Sequence, residues 1–276
     1  MQTKYSCTYW GSEHLSPSQF ITNIAAAGFE GAELFLTPPD TLTDAFLLAI
    51  EHIRKQHPDF YFITLQLPFP KEDTVAGHIQ VMEANFTKLA ALNPLFINSH
   101  TGRDYFSFDD NCRILDAAMN FATKHGVRIL HETHRGRFSF HAASLIPYLD
   151  KFPQMELVGD FSHFCTVSES MLEGQEDVIS RIIPQVSHIH ARLGYEQGPQ
   201  VNDPQAPEWQ AHLEKFLFWW QQILTTKKAA GQSLFTISPE FGPVPYMPTA
   251  PYTQQPLSNQ WDNNVFMMEY LRESLK

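Results

Sequence analysis

Short apolar runs alternate with longer amphipathic stretches along the whole of this 276-residue chain. Apolar runs of four to eight residues bounded by turn residues read as buried strands, and the intervening 3.6-residue periodicity reads as helix. Strands are predicted over residues 4–8, 31–36, 60–67, 95–99, 127–132, 156–160, 186–190 and 234–240. Helix punctuation agrees with the pattern. Ser16-Pro17 opens a helix that closes at Gly28, and the stretch from Ser107 to Asp110 opens another that closes at His125-Gly126. Taking Thr8, Phe35, Gln66, Asn98, Glu132, Asp160, His190 and Glu240 as the last core residue of each strand, the steps are 27, 31, 32, 34, 28, 30 and 50 residues. Seven similar strand-plus-helix units imply right-handed crossovers and a parallel sheet. The economical closure is an α/β fold, a (β/α)8 TIM barrel, with residues 1–276 as one domain. A doubly wound open sheet is the competitor, but neither a GxGxxG nor a Walker-type loop follows the first strand. Two post-strand segments, 193–207 and 242–259, are longer than connections need to be. The second carries Pro243, Pro245, Pro248, Pro251 and Pro256, which exclude regular structure and suggest a cover for the pocket or a subunit contact.

Composition narrows the function classes. With 43% hydrophobic residues and 22 Phe the chain can bury a large core. Thirty acidic against 19 basic residues give a formal charge of −11, which disfavours nucleic acid and anionic lipid as partners. No apolar run approaches the roughly 20 residues that span a bilayer, and the first residues leave no room for a signal h-region, so a soluble, cytoplasmic protein is expected. Cys7, Cys112 and Cys165 are odd in number and unpaired in spacing, and read as buried free thiols.

Chemistry concentrates at the strand ends. Four consecutive predicted strands finish in charge or imidazole: Glu132, Asp160, His190 and Glu240. Taken singly, each has a plain reading as a helix cap, an arginine partner or a satisfied core histidine. Together they place three carboxylates and one imidazole at the C-terminal mouth of a barrel, where like charges force protonation unless a cation intervenes. A divalent metal resolves the conflict, and oxygen-rich ligation suits Mn2+, Mg2+, Co2+ or Zn2+. His131-Glu132-Thr133-His134 lies on a strand and is not the helical HExxH zinc motif, position 135 being Arg.

These motifs, with Asp160-Phe161-Ser162-His163, His188-Ile189-His190 and Pro239-Glu240-Phe241-Gly242, resemble the xylose isomerase-like TIM-barrel superfamily, which holds sugar isomerases and epimerases, inosose and dehydroshikimate dehydratases and the endonuclease IV enzymes. The resemblance follows strand order along the whole chain and is densest between residues 127 and 242. It implies that Glu132, Asp160, His190 and Glu240 bind metal, that His163 faces the substrate, and that His188 supports the site from behind. The chain departs from the ketose 3-epimerases, which place Arg six residues after the strand-seven His. Here Glu196 stands at that offset and Arg192 follows His190 by two, reading equally as a substrate contact or a structural ion-pair residue.

His100, ending the fourth strand near Arg103, is placed to line the pocket without touching metal, and Trp10 and Phe69 are candidates for an apolar wall against a sugar ring. Arg135 and Arg137 read as a solvated loop face, with a carboxylate or phosphate grip as the alternative. Trp209, Trp219 and Trp220 read as core or subunit packing. The leading expectation is a metal-dependent isomerase or epimerase of a sugar-like small molecule, with Glu132 and Glu240 moving the proton through an enediolate. A dehydratase sharing that first step is the runner-up. An endonuclease IV-like hydrolase, which needs further histidines where Gln66 stands, and a non-catalytic barrel come behind. A homo-oligomer is compatible with the sequence.

Overall fold

The computed structural model describes residues 1–71 and 73–275. Eight strands, β1 (Gln2–Thr8), β2 (Gly31–Leu34), β3 (Tyr61–Gln66), β4 (Ile97–Ser99), β5 (Ile129–Glu132), β6 (Leu157–Gly159), β7 (Val186–Ala191) and β8 (Leu234–Pro239), form a closed parallel barrel in sequence order. β8 returns to β1 with Leu234 beside Gln2 and Ile237 beside Tyr5. Each predicted strand is present, most of them shortened by a residue or two at an end.

Helices start where the sequence offers a side-chain acceptor. Ser16 caps Pro17–Ala26 in a reciprocal capping box with Gln19. Ser107 caps Phe108–His125, which stops at Gly126 in the left-handed conformation, φ 63°, that glycine adopts without strain. Asp160 caps the short helix Phe161–Ser168 that comes after β6.

Because side chains alternate across a strand, each strand divides between an outer face packed against helices and an inner face filling the barrel. The outer face joins one extensive apolar core with the helices, including Phe20, Phe46, Phe86, Trp219 and Trp220. Inside the barrel, Tyr61, Ile63, Phe96, Leu130 and Val158 form a separate apolar layer. Two residues further along the same strand faces the chemistry changes: Phe96 is followed by Asn98 and His100, Leu130 by Glu132 and His134, Val158 by Asp160, and His188 by His190 and Arg192. An apolar plug therefore underlies a charged upper layer. All three cysteines are buried and free. Among the described residues no helix is long and apolar enough to cross a membrane.

The loops at the upper end are pinned by amide side chains. Gln200 exchanges hydrogen bonds with the backbone of Gly242 at 2.7 and 3.2 Å, and Asn264 does the same for Phe241 at 2.7 and 3.1 Å. A Cβ on Gly242 would lie 2.2 Å from the Trp10 ring, so only glycine lets the segment after β8 pass under that indole.

His78, in the helix Val75–Ala90, is fully buried, and its Nε2 accepts the Gly102 N–H at 3.1 Å. Burial, helped by nearby Arg103, brings its imidazole down to about 4. The folded state thus binds fewer protons than the unfolded chain, whose histidines titrate near 6.5, so this contribution to stability is intact above about pH 6.5 and is lost as pH falls toward 4. Urea midpoints of the wild type should drop across that window, and His78→Gln should flatten the dependence. Superimposable pH profiles for the two proteins would refute it.

Candidate active site

Glu132, Asp160, His190 and Glu240 each offer a donor atom within 4.8 Å of the others, and all except Glu240 are almost completely buried. His190 is the hub. Its Nδ1 faces Glu240 Oε2 at 3.0 Å and Glu132 Oε1 at 3.6 Å. On its other side Nε2 meets both oxygens of Glu33, at 3.0 and 3.1 Å. Glu33 belongs to β2 and is itself buried. A carboxylate held against Nε2 fixes the proton there and turns Nδ1, as a bare nitrogen, toward the cluster when a cation is bound.

Hydrogen bonds hold the carboxylates apart. Asn98 Nδ2 donates to Glu132 Oε2 at 2.7 Å and to Glu33 Oε1 at 3.2 Å, and His100 Nε2 donates to Glu132 Oε2 at 2.9 Å. Burial alone would raise the Glu132 carboxyl, but His100 and His190 hold it well below the usual carboxylate range. In Glu33 burial is likewise outweighed by His190, which brings it to about 2. Glu240 moves the other way: burial raises it despite His190 and Arg192. Burial would lower the His190 imidazole, but Glu240, Glu33 and Glu132 push it well above its ordinary value.

Asp160 is differently employed. Its Oδ1 accepts the Ser162 N–H at 3.0 Å and the Ser162 hydroxyl at 2.5 Å, and its Oδ2 is paired with Arg192 Nη2. Arg192 is buried, lies 3.6 Å from Glu240 Oε2, and places its guanidinium 4.8 Å from the centre of the Tyr246 ring. Arg135 lies 5.1 Å from the same ring.

A cavity of about 380 Å3 opens onto the cluster, its floor formed by Glu33, Glu132, Glu240, His100, His134 and Arg192. Trp10 and Tyr246 form a wall, their rings edge to face at 5.0 Å. Tyr246 comes from the proline-rich segment, which therefore contributes directly to the pocket. Phe69 does not: it is 71% exposed and borders a neighbouring groove instead. His163 is fully buried and sits outside the cavity lining, its ring 4.0 Å from that of His134 and its Nε2 accepting from Arg192 at 2.9 Å. His188 is locked between Thr236 and Ser238 at 2.7 and 3.1 Å. Glu196 pairs with His212 at 3.0 Å, and Arg103 with Asp73 at 3.3 Å.

No family model matches the sequence and no curated protein matches it. Solved structures do. The probable 3-DHS dehydratase of petrobactin synthesis from Bacillus anthracis is 16% identical with a TM-score of 0.61, covering 98% of each chain. The 3-keto-D-glucoside 4-epimerase from E. coli is 11% identical with a TM-score of 0.58, covering 99% of this chain and all of that one. Endonuclease IV from Thermus thermophilus is 13% identical with a TM-score of 0.60, covering 98% of this chain and 99% of that one. The fold is that of the xylose isomerase-like TIM barrels. At such identities the likeness establishes the architecture, and the buried acid-histidine clusters at the mouth are suited to a metal ion.

The donor set fits a hard divalent ion: carboxylate oxygens and one imidazole, with Nδ1 of His190 and Oε2 of Glu240 both lacking a satisfactory hydrogen bond in the buried interior. His190→Ala should lower bound metal by about one to two orders of magnitude, and Glu33→Gln by about tenfold through loss of the Nε2 anchor. Elemental analysis after dialysis, unchanged in both variants, would remove His190 as the centre of the site.

Proposed function

We propose that the protein is a metal-dependent isomerase or epimerase acting on a sugar or sugar-derived 2-hydroxy carbonyl compound. The observation that carries this reading is the convergence of Glu132 and Glu240, from β5 and the end of β8, on one imidazole nitrogen at the floor of a cavity walled by Trp10 and Tyr246. Glu132, His190 and Glu240, with Asp160 adjacent, would hold the ion. When bound, a divalent ion supplies Lewis-acid polarisation of neighbouring carbonyl and hydroxyl oxygens.

The chain's own groups do the rest. A proton on carbon next to a carbonyl is removed slowly in water because the enediolate is unstable, and donors fixed around the developing oxygen charge lower that barrier. One glutamate takes the proton and the other returns it, which requires carboxylates on two sides of the substrate. Glu132 ends β5 and Glu240 follows β8, with two strands between them on the barrel wall. Trp10 and Tyr246 cover a ring or chain of carbon atoms and keep water from the exposed carbanion. Trp10 is held for this by Gln260, whose Nε2 donates to its carbonyl at 2.7 Å.

A dehydratase differs only in its second step, in which a hydroxyl β to the carbanion leaves with a proton from an acid. His163 lies behind the lining, so His100 and His134, which face the cavity, are the supported donors for that outcome. Support for a DNA-cleaving enzyme is weaker. Gln66 ends β3 where a further histidine would serve a larger metal centre, and it accepts from Ser99 at 2.8 Å instead.

Incubation with a panel of aldoses, ketoses and inososes in D2O should place deuterium on the carbon next to the carbonyl, in recovered substrate as well as product. Glu132→Gln and Glu240→Gln should each slow exchange by about 10² to 10⁴-fold. An epimer or aldose-ketose pair identifies the isomerase, and an unsaturated or deoxy-keto product the dehydratase. Turnover without solvent deuterium, undiminished in both variants, would defeat the proton-transfer reading.

A further inference from the structure

The cavity is charged on its floor and apolar where Phe35, Leu65 and Leu67 line it. Phe35 follows β2, while Leu65 lies on β3 and Leu67 just beyond its end. The same three side chains line the neighbouring groove, of about 260 Å3, which is completed by Phe69 and by Val81 and Leu89 of the helix Val75–Ala90. The two spaces adjoin at these three residues. Large apolar side chains are left in water there, Phe35 being 46% and Phe69 71% exposed, as is usual where a further apolar group binds. Asn85 Nδ2 donates to the Leu67 carbonyl at 3.3 Å and ties the segment after β3 to that helix. Gln66 lines the groove as well. It is buried, its Oε1 accepts from Ser99 Oγ at 2.8 Å, and its Nε2 has no hydrogen-bond partner among the described residues. A buried amide donor without a partner is uncommon, and an acceptor on a ligand would satisfy it. Lys88 is the one ionisable group in the lining among the described residues, so nothing there would hold a cation.

We propose that this groove receives an apolar substituent of the substrate, an aromatic or branched aliphatic group with an oxygen acceptor for Gln66, while the sugar-like part occupies the cavity floor. This names a substrate class for the function proposed above and rests on that reading. An unsubstituted sugar is a poor occupant of the groove. Each of its hydroxyls would give up water beside leucine and phenylalanine and find few partners in return. A ring or branched chain loses nothing by leaving water, and its contact with Phe35, Phe69, Val81 and Leu89 adds affinity that the floor alone does not provide. The junction with the catalytic cavity is what a substituted substrate requires, whereas a side chain from a second copy of the protein would have no use for it. Phe35, Leu65 and Leu67 then act as the saddle between the two parts of one ligand, and Val81 and Phe69 set which substituents fit.

The test begins with two fragments, benzyl acetate, which has a ring and a carbonyl oxygen, and toluene, which has the ring alone. Binding to the whole protein is followed by the methyl NMR signals of Leu65, Leu67, Val81 and Leu89. Both fragments should shift these signals saturably. Val81→Trp, which fills the groove, should abolish both effects in an otherwise native methyl spectrum. Gln66→Leu should weaken benzyl acetate about three- to tenfold, the worth of one hydrogen bond, and leave toluene unchanged. Should Val81→Trp misfold, Phe69→Ala reads the same groove from an exposed position, weakening both fragments about threefold or more. Benzyl ethers and phenylacetyl esters of the aldoses, ketoses and inososes are then titrated. At least one should bind about tenfold or more tighter than benzyl acetate, because its two parts act as one ligand, and Val81→Trp should remove that gain. The proposal is overturned if no fragment shifts the groove methyls, if no linked compound exceeds benzyl acetate, or if Gln66→Leu leaves benzyl acetate unaffected. Methyl shifts that follow protein concentration instead would assign the groove to a second copy and overturn it too. Linked compounds that bind as expected but exchange no deuterium would sink the proton-transfer function and leave the groove as the substituent site of another reaction.

Discussion

Like charge gathered in a poorly polarisable interior is the constraint to which the upper half of this barrel answers. Glu33, Glu132, Asp160 and Glu240 lie at one mouth, and four ionised carboxylates so close together would lose their charge by binding protons unless positive groups stood among them. The chain supplies some of that charge itself. His190 stands between Glu33 on one side and Glu132 and Glu240 on the other, and Arg192 neutralises Asp160. Neutral donors do the finer spacing, Asn98 spanning Glu33 and Glu132 so that neither approaches the other freely. Below them lies the apolar layer of Tyr61, Ile63, Phe96, Leu130 and Val158. Fixed protein groups here take over much of the part that hydration plays for carboxylates at a surface.

Much of this is legible in the sequence because a charged residue at the end of a buried strand is seldom there for packing alone. Glu132, Asp160, His190 and Glu240 each come after an apolar run, and the near-constant spacing of those runs leads to the barrel. Glu33 escapes that logic for a definite reason. The run Gly31-Ala32-Glu33-Leu34-Phe35-Leu36 reads as a strand continuing to Phe35, whereas β2 stops at Leu34, so the residue at the mouth is the one two positions earlier on the same face. A lone acid inside a short apolar strand is the available signal. Arg192 stands out in the sequence, but its direction does not, because local sequence does not say which acid a long side chain will reach. His163 shows the same limit: a DxxH spacing puts it near Asp160, at 3.6 Å, and yet the His134 ring and Arg192 lie against it and it has no place in the cavity lining.

The proline-rich segment illustrates how an irregular stretch acquires a fixed position. Prolines limit what the unfolded chain can explore, so ordering it costs less entropy than ordering a glycine-rich loop of equal length. Amide side chains then do what a neighbouring strand would do, Gln200 and Asn264 each satisfying a donor and an acceptor of the backbone just past β8. The ring of Tyr246 is delivered over Arg192 by that support, and Gly242 permits it by leaving room for Trp10.

The closure of β8 on β1 also sets an order of events during synthesis. Glu33 leaves the ribosome 157 positions before the imidazole it orients, and the strand leading to Glu240 comes later still. A nascent chain that has made its first six strands therefore holds Glu33, Glu132 and Asp160 with neither His190 nor Arg192 to neutralise them, and its β1 edge is unpaired. The barrel mouth stays incomplete through most of translation, and the groups that balance its carboxylates come last. The set of side chains that could hold a cation is then complete only with the last part of the chain.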